Sequence, residues 1–276
     1  MAHDVSTRAA KGQGLAGFSL GIEGRTALVC GASKGLGRAC AEALAQAGTS
    51  LTMCARTAGP LEAAAAEIAA ASGAAVASVA ADVTSETGRA ALLAACPDPD
   101  ILVTNAAGPP PGRFEDWGEA EWQAATSANM IAPLLLIRGV VAGMRRRRWG
   151  RIVNITSSAV KAPLPMLGLS NGARAGLTGA IGGIAREVAR DRVTINNLLP
   201  GHFATDRLES YLSAVAAARG VSAEAVRDEV AAANPTGRVG RPEEFGAMCA
   251  FLASAHAGYV TGQNVLMDGG LYPGLF

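Results

Sequence analysis

From residue 26 onward, short apolar runs alternate with longer stretches whose apolar positions recur at helical spacing. TALVC (26–30) reads as a strand followed by a helix over about 36–47, and SLTMC (50–54) as a second strand followed by an alanine-rich helix to about residue 71. AVASVA, DILVTN, RIVNIT, VTINNLL and NVLMD continue the series as strands, with helices around 85–95, 121–144, 171–188 and 242–253. Seven strands joined by helical crossovers predict one doubly wound α/β domain of Rossmann type over residues 21–276, a seven-stranded parallel sheet with helices on both faces. Ligands bind such sheets at the carboxyl ends of the strands.

Two stretches break the rhythm. Residues 108–117, GPPPGRFEDW, are rich in Pro and Gly and follow a strand, which predicts a stiff loop at the ligand edge. Residues 203–238 hold two helical patterns, 208–219 and 222–233, between a strand and a helix that could have been joined directly. This segment is either a helical substrate lid or a packed insertion without a gating role. Residues 1–20 are small and polar, a flexible tail or an oligomer arm. No internal repeat or second domain is visible.

Composition narrows the function. Of the 276 residues 50% are hydrophobic and only 17% charged, with a net charge of +1, so neither a disordered chain nor a nucleic-acid-binding one is expected. The basic run at 145–148 reads as a solvated helix end. Five scattered cysteines show no C-x-x-C or Cys/His spacing, which predicts reduced thiols, no metal site and a cytoplasmic protein. No apolar run is long enough to span a bilayer, so no membrane partner is expected.

The first strand runs into GASKGLG and then a helix, with Gly31, Gly35 and Gly37 at the turn. In that context the glycines allow a tight turn, close approach of the backbone to a pyrophosphate and close helix packing, leaving helix amides facing the phosphates. An NAD-selective fold carries a carboxylate after the second strand; this chain has Ala55 and Arg56 there, with Lys34 inside the turn. Two cations converging on a 2'-phosphate predict NADPH (NADP+) as the cofactor.

On these residues the chain resembles the classical short-chain dehydrogenase/reductase family, in its 3-oxoacyl-ACP-reductase-like form, over nearly everything after the tail. The resemblance implies cofactor contacts from Gly31, Ser33, Lys34, Gly35, Leu36 and Gly37 of the turn, and from Asp82 and Val83 on the adenine. It implies further contacts from Asn105, Ala106 and Ala107 of TNAAG, where Thr104 stands in place of the family's first Asn. Asn129 matches the family's helix asparagine that holds a relay water, and Ser157 its catalytic serine, with Ser158 beside it. Pro200, Gly201, Phe203 and Thr205 of LLPGHFAT match the segment over the nicotinamide carboxamide. A homotetramer or dimer is also implied, with the helices near Asn129 and Asn171 as its interface.

The departure lies at the family's Tyr-x-x-x-Lys, where SNGARAGL places Ser170 and Arg174. Ser170 lies thirteen residues after Ser157, the family's interval, so the tyrosine is absent rather than shifted. Arg174 can still donate to ribose hydroxyls, but it cannot give up its proton, and a serine is a poor acid without support. Ser170 is either part of a polar pocket with Arg174, four residues on, or only the N-cap of a helix beginning at Asn171. Three functions follow: reduction of a small, largely apolar carbonyl compound, its proton coming from water, Ser170, His202 or Tyr211; reduction of an imine or iminium ion, which needs only hydride; or NADPH binding without redox turnover, as a sensor or non-redox enzyme. The catalytic candidates are thus Asn129, Ser157, Ser170, Arg174 and His202, and the partner is a small molecule.

Overall fold

The computed structural model describes residues 19–275; the tail expected over 1–20 falls outside them but for its last two residues. In chain order the main elements are β1 (Thr26–Cys30), α1 (Gly35–Gln46), β2 (Ser50–Ala55), α2 (Ala58–Ser72), β3 (Val76–Ala80), α3 (Glu86–Ala95), β4 (Ile101–Thr104), α4 (Glu119–Thr126) and α5 (Ala132–Arg147). There follow β5 (Gly150–Ile155), α6 (Gly168–Val188), β6 (Val193–Pro200), α7 (Asp206–Arg219), α8 (Ala223–Ala233), α9 (Pro242–Ala253) and β7 (Asn264–Met267). All seven strands pair in parallel in the order β3-β2-β1-β4-β5-β6-β7. The chain reverses its direction of travel between β1 and β4, which opens a crevice beyond their carboxyl ends.

The inner strands β1, β2, β4, β5 and β6 are largely buried because helices cover both faces, whereas β3 and β7 at the two edges are more exposed. Leu44, Leu61 and Phe245 of α1, α2 and α9 close one side; Leu92, Leu136, Ile137 and Ile181 of α3, α5 and α6 close the other. Burying each such large side chain stabilises the fold by about 1.5–3 kcal/mol. A polar line crosses this core in register. Thr104 Oγ1 donates to Asn154 Oδ1 (2.6 Å), Asn154 Nδ2 to Asn197 Oδ1 (3.1 Å) and Asn197 Nδ2 to Asn264 Oδ1 (2.8 Å), joining β4, β5, β6 and β7. A strand slipped by one residue would turn its member of the line to the opposite face.

Three expectations change. The helix expected over 121–144 is interrupted by a π-helical turn, Ser127–Ile131, between α4 and α5. The helix expected from Asn171 starts at Gly168, with Leu167 as a cap that makes no side-chain bond, so Ser170 lies inside the first turn and is not an N-cap. The continuous helical stretch Glu119–Arg147 is long enough to cross a bilayer and has a mean hydropathy of 1.5 over 18 residues, contrary to the expectation that no run would qualify. Here Leu136, Ile137, Val140 and Met144 of that stretch are buried in the core.

The segment expected to be a lid forms α7 and α8, which pack on each other through Leu208, Leu212, Ala216 and Val226. All five cysteines are free and buried, and burial raises the pKa of Cys30, Cys40, Cys54 and Cys96, which leaves those thiols protonated.

Candidate active site

A cleft of about 810 Å³ lies at the carboxyl edge of the sheet and runs from the β1–α1 turn to α7. At its first end the backbone does the shaping. Gly31 and Gly35 adopt left-handed φ values of 61° and 59°. A Cβ on Gly37 would stand 2.2 Å from Gly31 O, so only glycine lets α1 come this close to the turn. Asn105 Nδ2 donates to Gly31 O (3.3 Å) and ties the turn to the end of β4. The amides opening α1 therefore face a fixed hollow suited to a pyrophosphate.

The cations expected at the 2'-phosphate differ from one another. Arg56, just beyond β2, is exposed and, among the described residues, makes no hydrogen bond or ion pair. Lys34 pairs with Asp206 of α7 at 2.7 Å, both side chains being exposed. Asp82 accepts from Thr84 N and Oγ1 (2.9 and 2.8 Å), which with the nearby Arg56 lowers its pKa.

Toward the other end the wall consists of side chains. Ser157 caps a short 3-10 turn, its Oγ accepting from Ala159 N (3.1 Å), and Ser158 also lines the cleft. Arg174 is 8% exposed, and its guanidinium is held by oxygens alone. Nη1 donates to Ile155 O (2.7 Å) and Thr156 O (2.9 Å), Nη2 to Ala106 O (3.4 Å) and Nε to Ser170 Oγ (3.2 Å). Burial, with Arg207 nearby, pushes its pKa down to about 10, which still leaves it charged at neutral pH. Of its five N–H groups, one on Nη2 remains for a ligand.

His202 lines the same end, its ring stacked on Tyr211 with centroids 6.0 Å apart. Its Nδ1 is buried with no protein partner among the described residues, and burial lowers its pKa from 6.5. Thr205 caps α7, its Oγ1 accepting from Leu208 N (3.4 Å).

Of the residues expected at the site, Gly31, Ser33, Lys34, Gly35, Leu36, Arg56, Asp82, Val83, Asn105, Ala106, Ala107, Ser157, Ser170, Arg174, Pro200, Gly201, His202, Phe203 and Thr205 all line the cleft. Gly37 and Asn129 stand behind the wall. Asn129 sits in the π-helical turn, where Nδ2 donates to Ala107 O (3.4 Å) and Ala125 O (3.3 Å) while the buried Oδ1 has no protein partner among the described residues. Helical irregularities of this kind are frequent at functional sites. Sequence reasoning missed Arg207, whose Nη2 donates to Pro109 O (2.8 Å) across the cleft from α7. Its place two residues after Thr205 was the available signal.

The family model described as Enoyl-(Acyl carrier protein) reductase matches residues 31–272. The NADPH-dependent reductase BacG of Bacillus subtilis is 32% identical over 251 residues, 89% of this chain and 97% of that protein. The 3-oxoacyl-[acyl-carrier-protein] reductase FabG of Vibrio cholerae is 34% identical over 263 residues, 92% and 99% of the two chains. Among solved structures, L-sorbose reductase from Gluconobacter frateurii, complexed with NADPH and L-sorbose, superposes with a TM-score of 0.88 at 29% identity, covering 93% of this chain and all of that one. On sequence over most of its length, on fold and on the glycine turn, the chain belongs to the short-chain dehydrogenase/reductase family, among its 3-oxoacyl-ACP-reductase-like members.

Proposed function

We propose that the protein is an NADPH-dependent reductase of a small carbonyl compound, with Ser170 and Arg174 working where the family carries Tyr and Lys. The observation that carries this is a buried arginine with no carboxylate partner, bonded to a serine on the cleft wall. The cofactor is NADPH. The amides of the β1–α1 turn would hold its pyrophosphate, Arg56 its 2'-phosphate beside a Lys34 that stays paired with Asp206, Asp82 and Val83 its adenosine, and Asn105–Ala107 with Pro200–Thr205 its nicotinamide half. When bound, it supplies a hydride, and negative charge then grows on the substrate oxygen.

The chain's own groups meet that charge. Ser157 Oγ and Ser170 Oγ each accept a bond from a donor behind them, so each keeps its proton for a substrate oxygen. Arg174 places a fixed positive charge behind Ser170, and because both residues are buried its electrostatic effect is weakly screened. Ser170 passes its proton to the oxygen and is resupplied by water, for which the free Oδ1 of Asn129 is an acceptor. His202 is neutral at neutral pH because burial lowers its pKa, so it shapes the pocket with Tyr211 rather than supplying the proton. A protonated iminium would meet two cations here, Arg174 and Arg207, and the carbonyl reading is preferred to the imine one for that reason.

Helices α7 and α8 serve as the substrate lid, a role supported by their separate small core and by the exposed Lys34–Asp206 pair at their base. A homotetramer or dimer forms through α5 and α6; open space in front of Gly179, Gly182 and Gly183 of α6 leaves room for a partner helix, and light scattering gives the mass. The function is tested by NADPH oxidation with a panel of ketones, aldehydes and cyclic imines. Turnover confined to carbonyl compounds is expected, and Ser170→Ala should lower kcat by roughly 10²-fold. Tight NADPH binding with no turnover across the panel would favour the sensor or non-redox reading.

A further inference from the structure

We infer that the substrate carries a carboxylate, gripped between Arg207 and Arg174 at the reaction end of the cleft, so that the carbonyl compound is an oxo acid; this rests on the reductase reading above. The two guanidinium groups converge on one point. A Cβ on Gly108 would stand 3.3 Å from Arg207 Nη2 and 3.7 Å from Arg174 Nη2, so both Nη2 atoms flank the same backbone position on the cleft wall. Neither group is ion-paired among the described residues. Arg174 bonds only neutral oxygens, and Arg207 bonds only Pro109 O.

The acids lining the cleft are engaged elsewhere. Asp82 is held by Thr84, and Asp206 by Lys34. Arg207 is exposed and bonds Pro109 O, and Arg174 is buried; desolvation lowers the pKa of both, and Arg207 lowers that of Arg174 further. Two cations held this close without a counter-ion are unfavourable, and an anion between them removes the conflict. The phosphates of the cofactor have their own holders in the glycine turn and at Arg56. A planar carboxylate matches the arginine fork, while Leu164, Leu167 and Leu208 of the same wall offer apolar contact to the rest of a small acid.

The experiment has a binding arm and a turnover arm, both on the NADPH-loaded full chain. In calorimetric titrations butanoate should bind at least about tenfold tighter than butanamide. Arg207→Gln should abolish that difference, and Arg207→Lys should restore part of it. In turnover, 3-oxobutanoate should be preferred to its methyl ester, and the acid-to-ester ratio of kcat/KM should fall at least about tenfold in Arg207→Gln. Equal binding of butanoate and butanamide, or an unchanged ratio in the variant, overturns the inference while leaving carbonyl reduction intact. So does a loss of NADPH affinity in Arg207→Gln as large as the loss of butanoate affinity, since Arg207 would then serve the cofactor. Arg207-dependent butanoate binding without reduction of either oxo compound sinks the reductase reading and keeps the anion site.

Discussion

In the β1–α1 turn the groups facing the cleft are backbone amides, fixed by Gly31, Gly35 and Gly37; around Ser170 they are the tips of long side chains. The first end is rigid because a changed residue collides with main-chain atoms, as a Cβ at 37 would with Gly31 O at 2.2 Å. The second is set by hydrogen bonds from Arg174 to oxygens at the ends of β4 and β5, and it holds cations without counter-ions. Recognition of an invariant cofactor can rest on backbone, which leaves little room for variation. Recognition of one substrate among many rests on side chains that can be exchanged without remaking the fold.

The contrast can be broken from either end. The largest effect is expected from Arg174→Met, which removes the charge behind Ser170 and should cut turnover by roughly 10²–10³-fold in single-turnover kinetics. Arg174→Lys should recover part of that rate. Next, Gly37→Ala should weaken NADPH binding by roughly 10–100-fold, the equivalent of about 1–3 kcal/mol of overpacking, read by fluorescence titration. It should lower Tm as well, whereas Arg174→Lys should act on rate more than on cofactor affinity.

Arg56→Ala sharpens the comparison within the nucleotide half. It should reduce the preference for NADPH over NADH by about tenfold, since one charge-assisted contact to the 2'-phosphate is lost. The smallest effect concerns pH. His202 binds a proton less readily folded than unfolded, so it lowers stability as pH falls through 6.5 toward its depressed folded value. His202→Gln should flatten the Tm against pH curve below about pH 6.5, and a curve as steep as the parent's would assign the acid sensitivity elsewhere.

The sheet, its helices and the nucleotide half were legible because each rests on a strong local signal. Apolar period fixes strands, and glycine is nearly obligatory where a backbone must turn left-handed or touch another backbone. Ser170 was ambiguous because a serine before an asparagine looks like a cap, whereas the helix begins earlier, at Gly168, capped by Leu167, a residue with no capping side chain. The π-helical turn at Asn129 left no trace in the apolar pattern, since one extra residue in a turn changes bonding without changing composition. Arg207 was hidden for another reason. Its meeting with Arg174 depends on how α7 folds back over Pro109, a long-range packing result that no local pattern encodes.

The polar line through β4, β5, β6 and β7 bears on how the protein is made. Three of its members, Thr104, Asn154 and Asn197, leave the ribosome well before Asn264, which closes the line on the last strand. Asn197, 1% exposed in the finished fold, has no Asn264 Oδ1 to bond until then, and β6 presents an open edge. A nascent chain held short of β7 therefore presents an open sheet edge with the polar line unfinished, the kind of species that chaperones retain.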